Sequence, residues 1–165
     1  MSNNEKNDLT HWAGELGAAL QQVGATLVTA ESCTGGWIAQ AMTAVPGSSA
    51  WFERGFVTYS DTSKQEMLGV SPSTLDAFGA VSEETVREMA LGALRRSHAQ
   101  VSVAVSGIAG PGGGAELKPV GTVCLAWAGL GRKTRSHTAH FAGDRTAVRR
   151  QAVVAALQGL LEFLK

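Results

Sequence analysis

Residues 29–36 read Thr-Ala-Glu-Ser-Cys-Thr-Gly-Gly, a small polar cluster with a serine at its centre. An apolar run (Ala25, Thr26, Leu27, Val28) precedes it, and Trp37, Ile38, Ala41, Met42 and Val45 follow at helical spacing. The pattern predicts a strand over 25–29 and a helix over about 34–44. A strand that turns into a helix at this cluster delivers Ser32 to the crevice at the carboxyl end of a sheet, where open α/β folds bind ligands. The amides of Thr34, Gly35 and Gly36 would then be helix N-terminal donors for an anion or a developing oxyanion. Ser32 is the first candidate nucleophile. The competing reading is that Ser32 or Thr34 merely caps the helix.

A serine hydroxyl attacks poorly unless a base takes its proton. The four histidines offer little: His11 falls on the first helix, His98 follows a long one, and His137 and His140 lie three apart in a strand, on opposite faces. Tyr59, the single tyrosine, ends a predicted strand, and Lys64 lies about one helical turn beyond it. A lysine serves as base only where its pKa is depressed, and the alternative is a solvated lysine on a short helix. Cys33 is a second nucleophile candidate, with no evident histidine partner and the composition of a small buried thiol.

A second glycine-rich segment, Ser106 to Gly114, follows a short buried strand and could cradle a phosphate on its amides. It is no P-loop, because Gly-x-x-x-x-Gly-Lys-Ser/Thr is absent, and the dinucleotide fingerprint is missing too. The residue three after Ser32 is Gly35, so a Ser-x-x-Lys arrangement is also excluded and any lysine base must arrive from a distant segment.

These residues need a scaffold, and the periodicities outline one. Leu9, Trp12, Ala13, Leu16, Leu20 and Val23 mark a first helix between a Thr10 or Asp8 cap and Gly24. Trp51 to Tyr59 reads as a strand, Ser60 to Gly69 as a short helix, and Ser71-Pro72-Ser73 as a loop or turn. Ser82 caps a helix burying Val86, Met89, Ala90, Ala93 and Leu94. Strands over Val101–Val105, Gly121–Ala128 and about Lys133–Phe141 follow, the last two as a hairpin. Asp144 opens a final helix with Val148, Val153, Leu157, Leu160, Leu161 and Leu164 inward. The order points to an α/β fold, a three-layer α/β/α sandwich with a mixed, mainly parallel sheet.

Length and composition suit one domain over 1–165, with 1–8 flexible. Lysine plus arginine and aspartate plus glutamate are 14 each, which argues against a nucleic-acid partner. Cys33 and Cys124 fit neither a metal spacing nor a disulfide scaffold, and no metal is expected. No apolar stretch reaches the roughly 20 residues of a membrane span. The polar start lacks a signal-peptide core, so a cytoplasmic location is expected. Trp12, Trp51 or the C-terminal leucines are candidates for a homo-oligomer interface, with a dimer favoured.

Taken together the chain resembles the CinA C-terminal domain family of nicotinamide-nucleotide amidohydrolases. The matching stretches are Thr-Ala-Glu-Ser-Cys-Thr-Gly-Gly (29–36), Val-Pro-Gly-Ser-Ser (45–49) and Phe-x-x-Gly-Phe-Val-Thr-Tyr-Ser-Asp-x-x-Lys-x-x-x-Leu-Gly-Val (52–70). Gly-Ala-Val-Ser (79–82), Ser-Gly-Ile-Ala-Gly-Pro-Gly-Gly-Gly (106–114), Lys-Pro-Val-Gly-Thr-Val (118–123) and Gly-Asp-Arg-x-x-Val-Arg (143–149) continue in the same order. The resemblance implies hydrolysis of the carboxamide of nicotinamide mononucleotide to nicotinate mononucleotide and ammonia, without a cofactor. It carries over Ser32 as nucleophile, Lys64 as general base, and Tyr59 as an aid to proton transfer or to the orientation of Lys64. Glu31, Thr34, Gly35, Gly36, Ser106, Gly107, Gly110 and Arg145 become candidate substrate contacts, Arg145 for phosphate. Which glycine-rich turn takes phosphate and which the oxyanion stays open. A stand-alone form is implied, without the N-terminal domain some members carry. A non-catalytic nucleotide- or partner-binding module of the same fold is the alternative.

Overall fold

The computed structural model describes residues 8–165, so the expected flexibility of the N-terminus falls outside it except at Asp8. The Asp8 carboxylate accepts the Thr10 amide and caps α1 (Leu9–Val23), which Gly24 closes in the left-handed conformation. β1 (Leu27–Glu31) leads to α2 (Trp37–Thr43), a 3₁₀ turn at Ser48–Ala50, and β2 (Phe52–Val57). Then come α3 (Asp61–Leu68), α4 (Pro72–Phe78), α5 (Glu83–Arg95), β3 (Val101–Gly107), β4 (Thr122–Gly129), β5 (Arg132–His140) and α6 (Arg145–Leu164).

The five strands form one sheet in the order β2-β1-β3-β4-β5. β1 pairs in parallel with both β2 and β3, whereas β4 runs antiparallel to β3 and β5 antiparallel to β4. Four of the five strands therefore point the same way, with β4 reversed by the hairpin. Alternation splits the core into two layers. Leu27, Val101, Val103, Val105, Val123, Leu125 and Trp127 pack with α1, α2 and α6. Val28, Ala30, Ala104, Cys124 and Ala126 pack with α3, α4 and α5. This is the three-layer sandwich.

Several local readings shift. β1 lies two residues later than expected, because the Thr26 amide and hydroxyl are taken by the Gln100 side chain instead of a neighbouring strand. Glu31 thereby becomes a strand residue with no exposed surface. α2 starts at Trp37, because Gly35 and Gly36 have φ of 61° and 97°, which no right-handed helix accepts. Pro72 sits in the first turn of a true helix, α4, whose start the Glu88 carboxylate holds by accepting the Ser71 amide and the Thr74 hydroxyl. Val23 is 48% exposed and Leu161 only half-buried. Trp51, considered for an interface, is buried in the core.

α2 leaves β1 toward one face of the sheet and α3 leaves the adjacent β2 toward the other. The carboxyl ends of β1 and β2 thus form a topological switch point, where such sheets open a crevice. The ends of α3 and α5 touch with no room to spare: a Cβ on Gly92 would collide with the Leu68 carbonyl. Gly92→Ala is expected to cost about 1–3 kcal/mol of stability by overpacking. It should also shift α3, so a denaturant midpoint unchanged from wild type would contradict this packing.

Candidate functional site

The crevice is built from two strand ends that continue as unequal turns. After β2 the chain passes Thr58 and Tyr59 and enters α3 through a capping box, in which the Ser60 hydroxyl accepts the Ser63 amide and the Ser63 hydroxyl accepts the Ser60 amide. This fixes the first turn of α3 and points Lys64 inward, where it is 1% exposed. Its amine lies 3.1 Å from Ser32 Oγ, 3.0 Å from the Thr58 carbonyl and 3.4 Å from the Tyr59 carbonyl. Ser32 itself is 7% exposed. Two carbonyls thus take two N–H bonds, and the third direction of the nitrogen faces the serine hydroxyl.

Burial pulls the pKa of Lys64 below its ordinary 10.5, against smaller opposing effects of Asp61 and Cys33. A neutral amine in this position offers a lone pair to the Ser32 hydroxyl. Cys33, one residue on, behaves differently: burial pushes its thiol up to about 11, so it stays protonated at neutral pH. No histidine hydrogen-bonds Ser32, Cys33 or Lys64 among the described residues.

Glu31 faces α2. Its Oε1 accepts the Thr34 hydroxyl at 2.6 Å and the Ile38 amide at 2.8 Å, and its Oε2 accepts the Ala39 amide at 2.9 Å. The positive end of α2 is therefore filled from inside by a carboxylate of the preceding strand. The expected helix donors also divide unequally. The Gly35 amide donates to the Ser32 carbonyl at 3.0 Å, and Thr34 has no exposed surface. Gly36 is half-buried, and among the described residues its amide has no acceptor.

Arg145, at the start of α6, is exposed and donates to the Gly110 carbonyl at 2.8 Å and to the Tyr59 hydroxyl at 3.0 Å. It ties the glycine-rich loop after β3 to the loop after β2. Tyr59, 61% exposed, presents its phenol to Arg145 and only its carbonyl to Lys64. No ion pair engages Arg145 among the described residues. Ser106 is buried on β3 opposite Cys124, and Gly107 ends the same strand opposite Val123. Arg149 was not anticipated as a site residue. It donates to the Cys33 and Thr34 carbonyls at 3.0 Å each, and the only signal was its place at the end of the Gly-Asp-Arg-x-x-Val-Arg stretch.

Elsewhere, a cavity of about 510 Å³ lies on the α5 side of β4 and β5, walled by Phe78, Arg87, Lys118, Cys124 and His140. Ser32 and Lys64 are not among its walls, although Cys124 is the register partner of Ser106. Among the described residues, no group of three or more His, Cys, Asp or Glu side chains could hold a metal ion, and no helix is long and apolar enough to cross a membrane.

Comparison with known proteins gives a consistent picture. The CinA C-terminal domain model matches residues 9–164. A nicotinamide-nucleotide amidohydrolase, PncC, of Enterobacter agglomerans is 57% identical over 152 residues, spanning 92% of this chain and 93% of that protein. PncC of Escherichia coli (strain K12) is 54% identical over 154 residues, 93% of each. The crystal structure of competence/damage inducible protein CihA from Agrobacterium tumefaciens superposes with a TM-score of 0.93 at 45% identity, covering 95% of this chain and 96% of that one.

The lysine's burial has a measurable consequence. With its pKa depressed in the folded state, Lys64 binds fewer protons there than in the unfolded chain between the depressed value and 10.5. Folding stability from this group therefore rises as pH rises through that interval. The unfolding free energy of wild type relative to Lys64→Met is expected to shift in favour of wild type between neutral and alkaline pH. A flat difference would mean that the amine is not depressed.

Proposed function

Since this chain belongs to the CinA C-terminal domain family, we propose that it is a nicotinamide-nucleotide amidohydrolase acting through Ser32 and Lys64. The observation that carries the mechanism is the buried amine 3.1 Å from the Ser32 hydroxyl, oriented by two backbone carbonyls. Ser32 Oγ attacks the carboxamide carbon of nicotinamide mononucleotide while its proton passes to Lys64 Nζ. The negative charge on the amide oxygen is met by backbone donors of the turn after Ser32. Gly36 is the accessible one without an internal acceptor among the described residues.

The Lys64 ammonium then gives its proton to the departing nitrogen, which leaves as ammonia, and Ser32 holds the nicotinoyl group as an ester. Water attacks the ester with Lys64 again as base, and nicotinate mononucleotide is released. Lys64 is suited to both directions because burial brings its pKa down toward the working pH. The raised pKa of Cys33 argues against the thiol as nucleophile. Glu31 is placed to support the turn and does not reach substrate, given its burial and its three internal donors.

Arg145 is the anion contact this reading favours. It sits at the rim on neutral acceptors alone, so its charge is available to the substrate phosphate. Phosphate then belongs on the Arg145 and Gly110 side, and the oxyanion on the turn after Ser32.

Two experiments test this. In an ammonia-release assay with nicotinamide mononucleotide, Ser32→Ala and Lys64→Ala should each lose roughly 10³-fold or more in kcat while staying folded. Folded variants that keep wild-type turnover would rule out the dyad, and substrate binding without product by wild type would point to a binding module. Arg145→Ala should lose about 10–100-fold in kcat/KM toward the mononucleotide, the worth of one charge-assisted contact. Activity toward the dephosphorylated riboside should not change; equal losses on both substrates would remove Arg145 from the phosphate site.

A further inference from the structure

The turn after Ser32 is fastened from two sides, and only one fastener belongs to its own strand and helix. Glu31 holds it through the amides of α2 and the Thr34 hydroxyl. The other is Arg149, one helical turn beyond Arg145 on α6 and 115 residues from Thr34. Its Nε donates to the Cys33 carbonyl and one Nη to the Thr34 carbonyl, both at 3.0 Å, and its guanidinium lies 5.4 Å from the centre of the Trp37 ring. With the guanidinium in place Cys33 and Thr34 are buried, and the Thr34 carbonyl also accepts the Trp37 amide at 3.1 Å. Among the described residues the Cys33 carbonyl has no other donor and Arg149 makes no ion pair.

We propose that Arg149 is a positioning residue for the Ser32 nucleophile. A trans peptide carries its C=O and N–H in opposite directions, so gripping two successive carbonyls fixes two successive peptide planes, those joining Cys33 to Thr34 and Thr34 to Gly35. A forked guanidinium can do this in a single plane; an ammonium cannot. The grip sets the path of the backbone from Ser32 to Gly36, hence the meeting of the hydroxyl with Lys64 and the aim of the amides that receive the oxyanion. Charge-assisted bonds to the carbonyls also polarise the Thr34 and Gly35 amides of the same peptides, and the Gly35 amide is the one that holds the Ser32 carbonyl at 3.0 Å. Arg145 and Arg149 thus divide the work of one helix face, the outer guanidinium toward substrate and the inner toward the nucleophile's backbone. Arg149 touches no substrate in this scheme, so its loss belongs in kcat.

The inference rests on Ser32 being the nucleophile, and the test separates the two claims. Arg149→Met and Arg149→Lys are assayed for ammonia release from nicotinamide mononucleotide, with Kd measured by calorimetry in a Ser32→Ala background and folding followed by thermal unfolding. In Arg149→Met, kcat should fall about 10²–10³-fold, the range for a lost oxyanion donor. KM and Kd should stay within about threefold of wild type. Arg149→Lys, which keeps charge and stem and serves if the methionine variant fails to fold, should recover only part of kcat. Wild-type kcat in folded Arg149→Met or in Arg149→Lys overturns the inference. So does a rise in KM and Kd at constant kcat, which would make Arg149 a substrate contact. An active Ser32→Ala overturns the parent reading instead.

Discussion

Among the described residues Lys64 is the one charged side chain drawn fully into the layer beneath α5, and the crevice is arranged around the consequence. Isolating an ammonium from water is costly unless it is paired or gives up its proton. No carboxylate pairs with Lys64 among the described residues; its neighbours are two backbone carbonyls and the Ser32 hydroxyl. Three acceptors suit an ammonium, whereas two carbonyls and one hydroxyl donor suit a neutral amine. The amine can therefore hold either state at one position. A group that must take a proton and later return it to a leaving nitrogen needs that balance.

Around this contact the fold supplies rigidity. Ser32 is tied to β3 through its amide, which donates to the Val105 carbonyl, and Thr58 is tied to β1 by donating to the Glu31 carbonyl. The nucleophile and the segment that orients the base thus hang from neighbouring strands of one sheet. α3 brings the lysine in with its capping box at one end and its close contact with Gly92 at the other. On the opposite layer, α2 and α6 fix the turn through Glu31 and Arg149. At the rim, Tyr59, Arg145 and the Gly110 loop meet through single hydrogen bonds.

Local chemistry explains what could be read from the sequence. Ser60, Ser63 and Gly69 bracket α3 by capping rules alone, and Ser82 and Asp144 mark the starts of α5 and α6 in the same way. The three-layer sandwich followed from the order of the elements, helices alternating with the early strands and a hairpin coming late. The inward turn of Glu31 could not be read, because it depends on β1 running two residues further than the strand predicted over 25–29. Its acidic side chain sits in a register that only the partner strands define. Arg149 was hidden for a different reason: an arginine on a helix face looks solvated until the fold brings its partners, the carbonyls of Cys33 and Thr34, from more than 100 residues away. Ser71-Pro72-Ser73 read as a loop or turn because the acceptor of the Ser71 amide and the Thr74 hydroxyl, Glu88, lies on another helix.

The central claim concerns a single nitrogen, and carbon-13 NMR of the lysine ε-carbon can follow its titration directly. Lys64 is assigned by comparison with Lys64→Met. A titration midpoint clearly below the 10.5 of an ordinary lysine is expected, shifting when Ser32 is replaced by alanine. A midpoint at or above that of the solvent-exposed lysines, indifferent to Ser32, would contradict the account: the amine would be a fixed cation and no base.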